Sequence, residues 1–163
     1  MMIGAVLDSP VGPLRIEADE NVITTIFFHA TEPVSRGRLP GVLAKLEAQL
    51  RLYFSGQLEA FDLPLAPKGT PFQQEVWQAL TKIPYGETRS YAEIAKKIGR
   101  PDAVRAVGAA NGQNPIPIII PCHRVIGSNG SLTGFGGGLA AKRFLLQLES
   151  KQKTLGIGDA IGD

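Results

Sequence analysis

One cysteine, two histidines and a single tryptophan are all that 163 residues offer of the side chains most often given to redox, metal or aromatic-cage work. With Cys122 alone, no internal disulfide can form. One cysteine together with His29 and His123 is too poor a set for a Cys/His zinc site, so no metal and no other cofactor is expected. Long apolar runs are also missing. Ile116 to Ile120 is interrupted by Pro117 and falls far short of the roughly 20 residues that cross a bilayer, which argues against a membrane partner. The amino end, Met1 to Asp8, has no basic leader and reaches an acid after one short apolar stretch, unlike a secretory signal. These absences point to a cytoplasmic protein. Hydrophobic residues at 44% and charged residues at 20% suit a soluble globular chain able to bury a core.

The net charge of +2 is small but unevenly spread. Residues 1–69 carry net −2 and residues 70–150 net +4. A basic second half fits a polyanionic partner, although +4 alone is ordinary for a soluble domain.

The first 30 residues read as a meander of strands, Ile3 to Leu7, Leu14 to Ala18 and Val22 to Phe28, separated by Ser9-Pro10-Val11-Gly12-Pro13 and Asp19-Glu20-Asn21. His29, just past the third, reads as a surface histidine. Apolar residues at Leu39, Val42, Leu43, Leu46, Leu50 and Phe54 predict an amphipathic helix packed on the strands. Residues 56–69, with Pro64 and Pro67, read as a connection. Thr70-Pro71-Phe72-Gln73 carries a capping box and predicts a helix to about Ile83, with Trp77 in the core. Ser90-Tyr91-Ala92-Glu93 is a second capping box, opening a helix that stops at Gly99. A third helix starts at Pro101-Asp102 and ends at Asn111-Gly112. The last two form a helix-turn-helix candidate. Its second helix is nearly all small residues, with only Arg105 projecting far, which suits close approach to a narrow groove better than major-groove readout. The alternative is a small-residue helix packed in the core with Arg105 at its rim.

Chemistry concentrates at Ile118-Ile119-Ile120-Pro121-Cys122-His123-Arg124-Val125. A thiol becomes a strong nucleophile beside a base or a positive charge, and Cys122 has a candidate for each. A lone cysteine can equally be plain core filling. The proline and two consecutive basic side chains do not suit the interior of a packed strand, which favours the reactive reading.

Taken together, Pro121-Cys122-His123-Arg124-Val125, Gly112-Gln113-Asn114-Pro115, Arg89-Ser90-Tyr91, Ala103 to Gly108, and Gly137-Gly138-Leu139 leading to Glu149 resemble the methylated-DNA–protein-cysteine methyltransferases, over residues 1–150. The resemblance implies an α+β fold: a small ribonuclease-H-like N-terminal αβ domain with its linker over 1–68 and a winged helix-turn-helix domain over 69–150. The tail over 151–163, rich in Gly, Lys and Asp, lies outside the resemblance and reads as flexible. The resemblance also implies a monomer that binds double-stranded DNA through the minor groove, flips out an alkylated guanine and moves the O6-alkyl group irreversibly to its own cysteine. O4-alkylthymine is a further candidate substrate. Cys122 is then the acceptor and His123 its base through a bridging water, since neighbours on an extended segment point to opposite faces. Glu149, at the end of the last helix, orients His123, and Tyr91 donates to the displaced guanine. Arg105, Ala106, Gly108, Asn111 and Tyr91 face DNA. Asn114 serves as hinge, and Val125, Phe135 and Gly136 line the base pocket. Some members carry serine at Gly136 or tyrosine at Phe135, so a hydroxyl donor to O6 is absent here and a loop N–H takes its place.

Rival readings are a non-catalytic alkyl-lesion sensor, against which Cys122 itself argues; a thiol hydrolase, which would turn over acyl substrates without DNA; and a transcription regulator, which would bind a specific sequence in the major groove.

Overall fold

The computed structural model describes the backbone of residues 1–161 and the side chains of residues 1–150, so the tail expected over 151–163 lies outside the residues described in full. Alternating apolar residues produce a three-stranded antiparallel sheet, ordered β1 (Met2–Leu7), β2 (Leu14–Asp19), β3 (Val22–Phe27). Leu14, Ile16 and Ala18 occupy every second position of β2 and are buried, the period expected of a strand with one covered face. The cover is α1 (Gly41–Phe54), which lays Val42, Leu43, Leu46 and Leu50 against the sheet. It begins two residues after Leu39, because Pro40 is extended at φ −82°, ψ 147°.

The connecting segment does more than connect. Ile23 N–H donates to the Pro64 carbonyl at 2.8 Å and Ala66 N–H to the Ile23 carbonyl at 2.9 Å, adding a short parallel edge beside β3. Beyond it, α2 (Pro71–Leu80) forms with both halves of the Thr70/Gln73 capping box in place. It stops three residues before Ile83. The last turn tightens into Lys82-to-Ala79 and Ile83-to-Leu80 bonds, and Pro84 follows. Trp77 is core, and its indole N–H donates to the Ala110 carbonyl at 2.8 Å. A side chain on Gly69 would stand 2.4 Å from that ring, so glycine is required there.

The short strand β4 (Arg89–Ser90) leads into α3 (Tyr91–Lys97), whose Ser90/Glu93 capping box is complete, and then α4 (Val104–Gly112). Residues 101–102 form a turn closed by Ala103 N–H on the Arg100 carbonyl at 2.9 Å, which delays α4 until Val104. The three helices pack on one another.

The run from Ile116 to Ile120 is buried but is not a strand. It folds back on itself through Ile120 N–H to the Ile116 carbonyl at 3.0 Å, and Ile118 sits at φ +75°, a strained conformation for a β-branched residue. Cys122, His123 and Arg124 follow as one 3-10 turn, and β5 (Val125–Ile126) pairs parallel with β4. A loop then leads to α5 (Leu139–Ile161). Among the described residues no helix is long and apolar enough to cross a membrane.

Candidate active site

Because Cys122 lies on a tight turn rather than on an extended segment, the opposite-faces expectation for Cys122 and His123 does not apply. Two positions that looked too basic for an interior are buried, His123 at 0% exposure and Arg124 at 7%. Glu149 explains both. It lies within α5 rather than at the helix end, and it is buried at 1% exposure.

Four donors converge on its carboxylate. Arg124 Nε reaches Oε1 at 2.7 Å and its terminal nitrogen reaches Oε2 at 3.0 Å, the bidentate fork that suits guanidinium. The Tyr53 hydroxyl donates to Oε2 at 2.6 Å, and His123 Nε2 stands 2.7 Å from the same oxygen. A further Arg124 N–H donates to the Ile83 carbonyl at 2.7 Å. Burial pushes the Glu149 carboxyl up, but the bonds donated by His123 and Arg124, together with the Arg124 charge, outweigh it and leave the pKa at about 2. The carboxylate is therefore ionised and only accepts, so His123 Nε2 must carry the proton. Nδ1 is then the lone-pair nitrogen, and among the described residues it has no hydrogen-bond partner. Burial also holds the imidazole below its usual pKa, against the pull of Glu149, so the ring rests neutral with Nδ1 free to take a proton.

Burial likewise pushes the Cys122 thiol up to about 11, despite smaller opposing contributions from the Asn114 amide and Lys142. The resting group is a thiol that needs a base. Asn114 Nδ2 donates to the Ile120 carbonyl at 2.7 Å while its Oδ1 accepts from Ile116 N–H at 3.0 Å, clamping the folded-back segment below the cysteine. Asn111, expected at the DNA face, is buried, with Nδ2 donating to the Cys122 carbonyl at 3.3 Å.

Cys122 opens on a cavity of about 250 Å³, shared with Asn114, Phe135 and Gly136. Phe28, just past the end of β3, also lines it, and its ring meets that of Phe135 at 5.3 Å. The loop is anchored by a buried lysine: Lys142 Nζ donates to the Val125 carbonyl at 2.7 Å and to the Thr133 carbonyl at 3.3 Å. Tyr91, on α3, is hydrogen-bonded through its hydroxyl to Thr133 Oγ1. An open recess between α4 and the loop is lined by Tyr91, Gly108, Thr133 and Gly136. Arg105 and Ala106 are exposed on α4, and Gly108 is half-buried.

Cys122, His123, Glu149, Asn114, Val125, Phe135 and Gly136 are thus brought together, while Tyr91 lies at the rim with the exposed face of α4. Sequence reasoning missed Tyr53, Lys142 and Phe28, and it read Arg124 as a positive charge serving Cys122, whereas its guanidinium is committed to Glu149. Lys142 was open to discovery, since Lys142, Leu145 and Glu149 fall on one helical face and Leu145 is core. Tyr53, three positions after Leu50 on an apolar stripe, signals a buried hydroxyl in need of a partner, but not which one.

Residues 71–151 match the model of the 6-O-methylguanine DNA methyltransferase DNA-binding domain, and residues 2–67 match that of the ribonuclease-like domain of the same protein class. The chain is 53% identical over 150 residues to a methylated-DNA–protein-cysteine methyltransferase of Mycobacterium tuberculosis, spanning 90% of this chain and 91% of that protein. The same-named protein of Methanosarcina acetivorans is 50% identical over 153 residues, spanning 91% and 98%. Among solved structures, the M. tuberculosis O6-methylguanine methyltransferase superposes with a TM-score of 0.83 at 49% identity, covering 93% of this chain and 94% of that one. M. tuberculosis OGT in complex with DNA gives 0.81 at 53% identity, covering 90% and 92%.

Proposed function

The chain belongs to the methylated-DNA–protein-cysteine methyltransferases, DNA-repair enzymes that move an alkyl group to a cysteine of their own, and from that premise we propose that Cys122 accepts an alkyl group from O6 of a guanine turned out of the duplex into the cavity beside it. The observation that carries this reading is the buried Glu149–His123 hydrogen bond on the turn that holds Cys122, which itself lines a cavity shared with Asn114, Phe135 and Gly136.

His123 Nδ1 takes the thiol proton through a bridging water as Sγ attacks the alkyl carbon. The S–C bond forms, the C–O6 bond breaks, and the electron pair passes to the guanine. Glu149 holds the ring in the required tautomer and stabilises the imidazolium that results. Tyr91, held by Thr133, donates to the displaced guanine, and an N–H of the Phe135–Gly136 loop serves O6 where other members place a hydroxyl. Val125 supplies backbone contacts to the base.

The DNA-facing surface is α4 with Arg105, Ala106 and Gly108, laid in the minor groove. Its small residues allow the approach, and Arg105 fills the space left in the stack. The proposed boundaries are a ribonuclease-H-like unit over 1–68 and a winged helix-turn-helix unit over 69–150.

The thioether product resists thiol exchange, so each molecule acts once. Exposure to an O6-methylguanine duplex should add one methyl per chain, located on Cys122 by peptide mass, with guanine restored. Sustained turnover, or a methyl on another residue, would refute this assignment.

Lys142→Met tests the loop anchor. The substitution keeps length and apolar volume but deprives the Val125 and Thr133 carbonyls of their donor, at about 1–3 kcal/mol for each one left unsatisfied. Removing a desolvated charge offsets part of that cost. Faster amide exchange confined to residues 127–138 is expected, together with roughly tenfold slower transfer from the looser base pocket. Unchanged exchange would mean that the lysine does not anchor the loop.

A further inference from the structure

Tyr53 comes from the N-terminal unit, 96 residues before the carboxylate it meets. Its ring packs against Phe54 at 5.3 Å, Phe61 at 5.2 Å and Tyr85 at 6.4 Å, contacts that phenylalanine would make equally well. Only the hydroxyl calls for tyrosine. It is fully buried, and it spends its proton on Glu149 Oε2, the oxygen that also faces His123 Nε2.

We propose that Tyr53 is a positioning residue for alkyl transfer, fixing Glu149 Oε2 and withdrawing part of its charge, so that the N-terminal unit sets the basicity of the histidine that activates Cys122. The inference rests on His123 acting as the base.

Burial, followed by the neighbouring Glu149 charge, keeps the Tyr53 phenol protonated far above its usual range, so it can only donate. Every donor on Oε2 reduces the negative charge presented to the imidazole. Removing one makes the carboxylate a better acceptor of Nε2–H and makes the imidazolium easier to form. The other titratable or charged groups around His123 are Arg124 and Cys122 on its own turn, Lys142 and Glu149 from α5, and Tyr85 after α2, which couples to Glu149. All of them remain in a Tyr53→Phe protein.

Transfer needs neutral His123, so the rate falls as pH drops through the imidazole pKa. In Tyr53→Phe that fall should come at higher pH, by about one pH unit, the size expected for one lost bond to a charged group. The measurement is the single-turnover rate of methyl transfer from an O6-methylguanine duplex between pH 5 and 9. A protein carrying 3-fluorotyrosine at position 53, whose more acidic phenol donates more strongly, should shift the fall the opposite way without altering packing.

A uniform slowing at all pH values would mark Tyr53 as a packing residue and overturn the proposal, as would two unshifted profiles. Should Tyr53→Phe fail to fold, the fluorinated protein alone decides. Absence of methyl transfer by the unsubstituted protein would instead remove the functional reading on which the inference stands.

Discussion

Cys122→Ala should abolish methyl acceptance outright while leaving affinity for the methylated duplex nearly unchanged. No substitute is at hand. Cys122 is the only thiol of the sequence, and the cavity is otherwise lined by Asn, Gly, Pro, Phe and Ile side chains, none of them a nucleophile. The fold should tolerate the loss of one buried sulfur at a cost of about 1 kcal/mol. A second signature comes from the thiol itself, raised from 9.0 to about 11 by burial. Its contribution to stability is fully present below pH 9 and is lost as pH rises to about 11, because the unfolded chain releases a proton that the folded chain keeps. The alanine protein should lack that alkaline decline. Intact mass after exposure to the lesion, and urea midpoints between pH 8 and 11, test the two halves. Any methyl on the alanine protein, or an identical alkaline decline in both, would contradict the assignment.

Glu149→Gln should damage stability and chemistry together. The amide keeps the shape but turns an N–H₂ toward groups that are already donors, leaving Arg124 as a buried cation without its counter-charge. Breaking a buried pair in this way costs about 3–5 kcal/mol, a large share of the roughly 5–15 kcal/mol that holds an ordinary domain. Transfer should slow by roughly 10²–10⁴-fold, since His123 loses both its tautomer and the stabilisation of its protonated form. The acid profile should change as well. A carboxylate lowered from 4.5 to about 2 contributes stability that is present above pH 4.5 and lost as pH falls toward 2. His123, held below its usual 6.5, separately weakens the fold as pH falls below that value, because only the unfolded chain takes the proton freely. The glutamine protein should lose the lower step. Urea midpoints that run parallel for the two proteins between pH 2 and 5 would show that Glu149 does not carry it.

Local chemistry made much of this fold legible. Both capping boxes, the three strands and the apolar stripe of α1 follow from spacing alone, because each is fixed by residues a few positions apart. The helix-turn-helix was visible for the same reason, apart from the delayed start of α4. The folded-back segment before Cys122 was not, because the φ of Ile118 is imposed by the Asn114 clamp and the surrounding core rather than by its own preference. Nor was the burial of Arg124. A basic side chain enters the interior only where a distant partner waits, and nothing local places Glu149 there. Tyr53 was hidden further still, since its partner lies 96 residues further along the chain.

The convergence on Glu149 also orders events in time. Tyr53, His123 and Glu149 belong to α1, the 3-10 turn and α5, and their sequence separation makes this one of the costlier loops to close. On a ribosome, α1 emerges early and waits until residue 149 has cleared the exit tunnel. The site is therefore completed only once Glu149 is available, and a nascent chain that contains Cys122 but not yet Glu149 has no assembled base with which to use it.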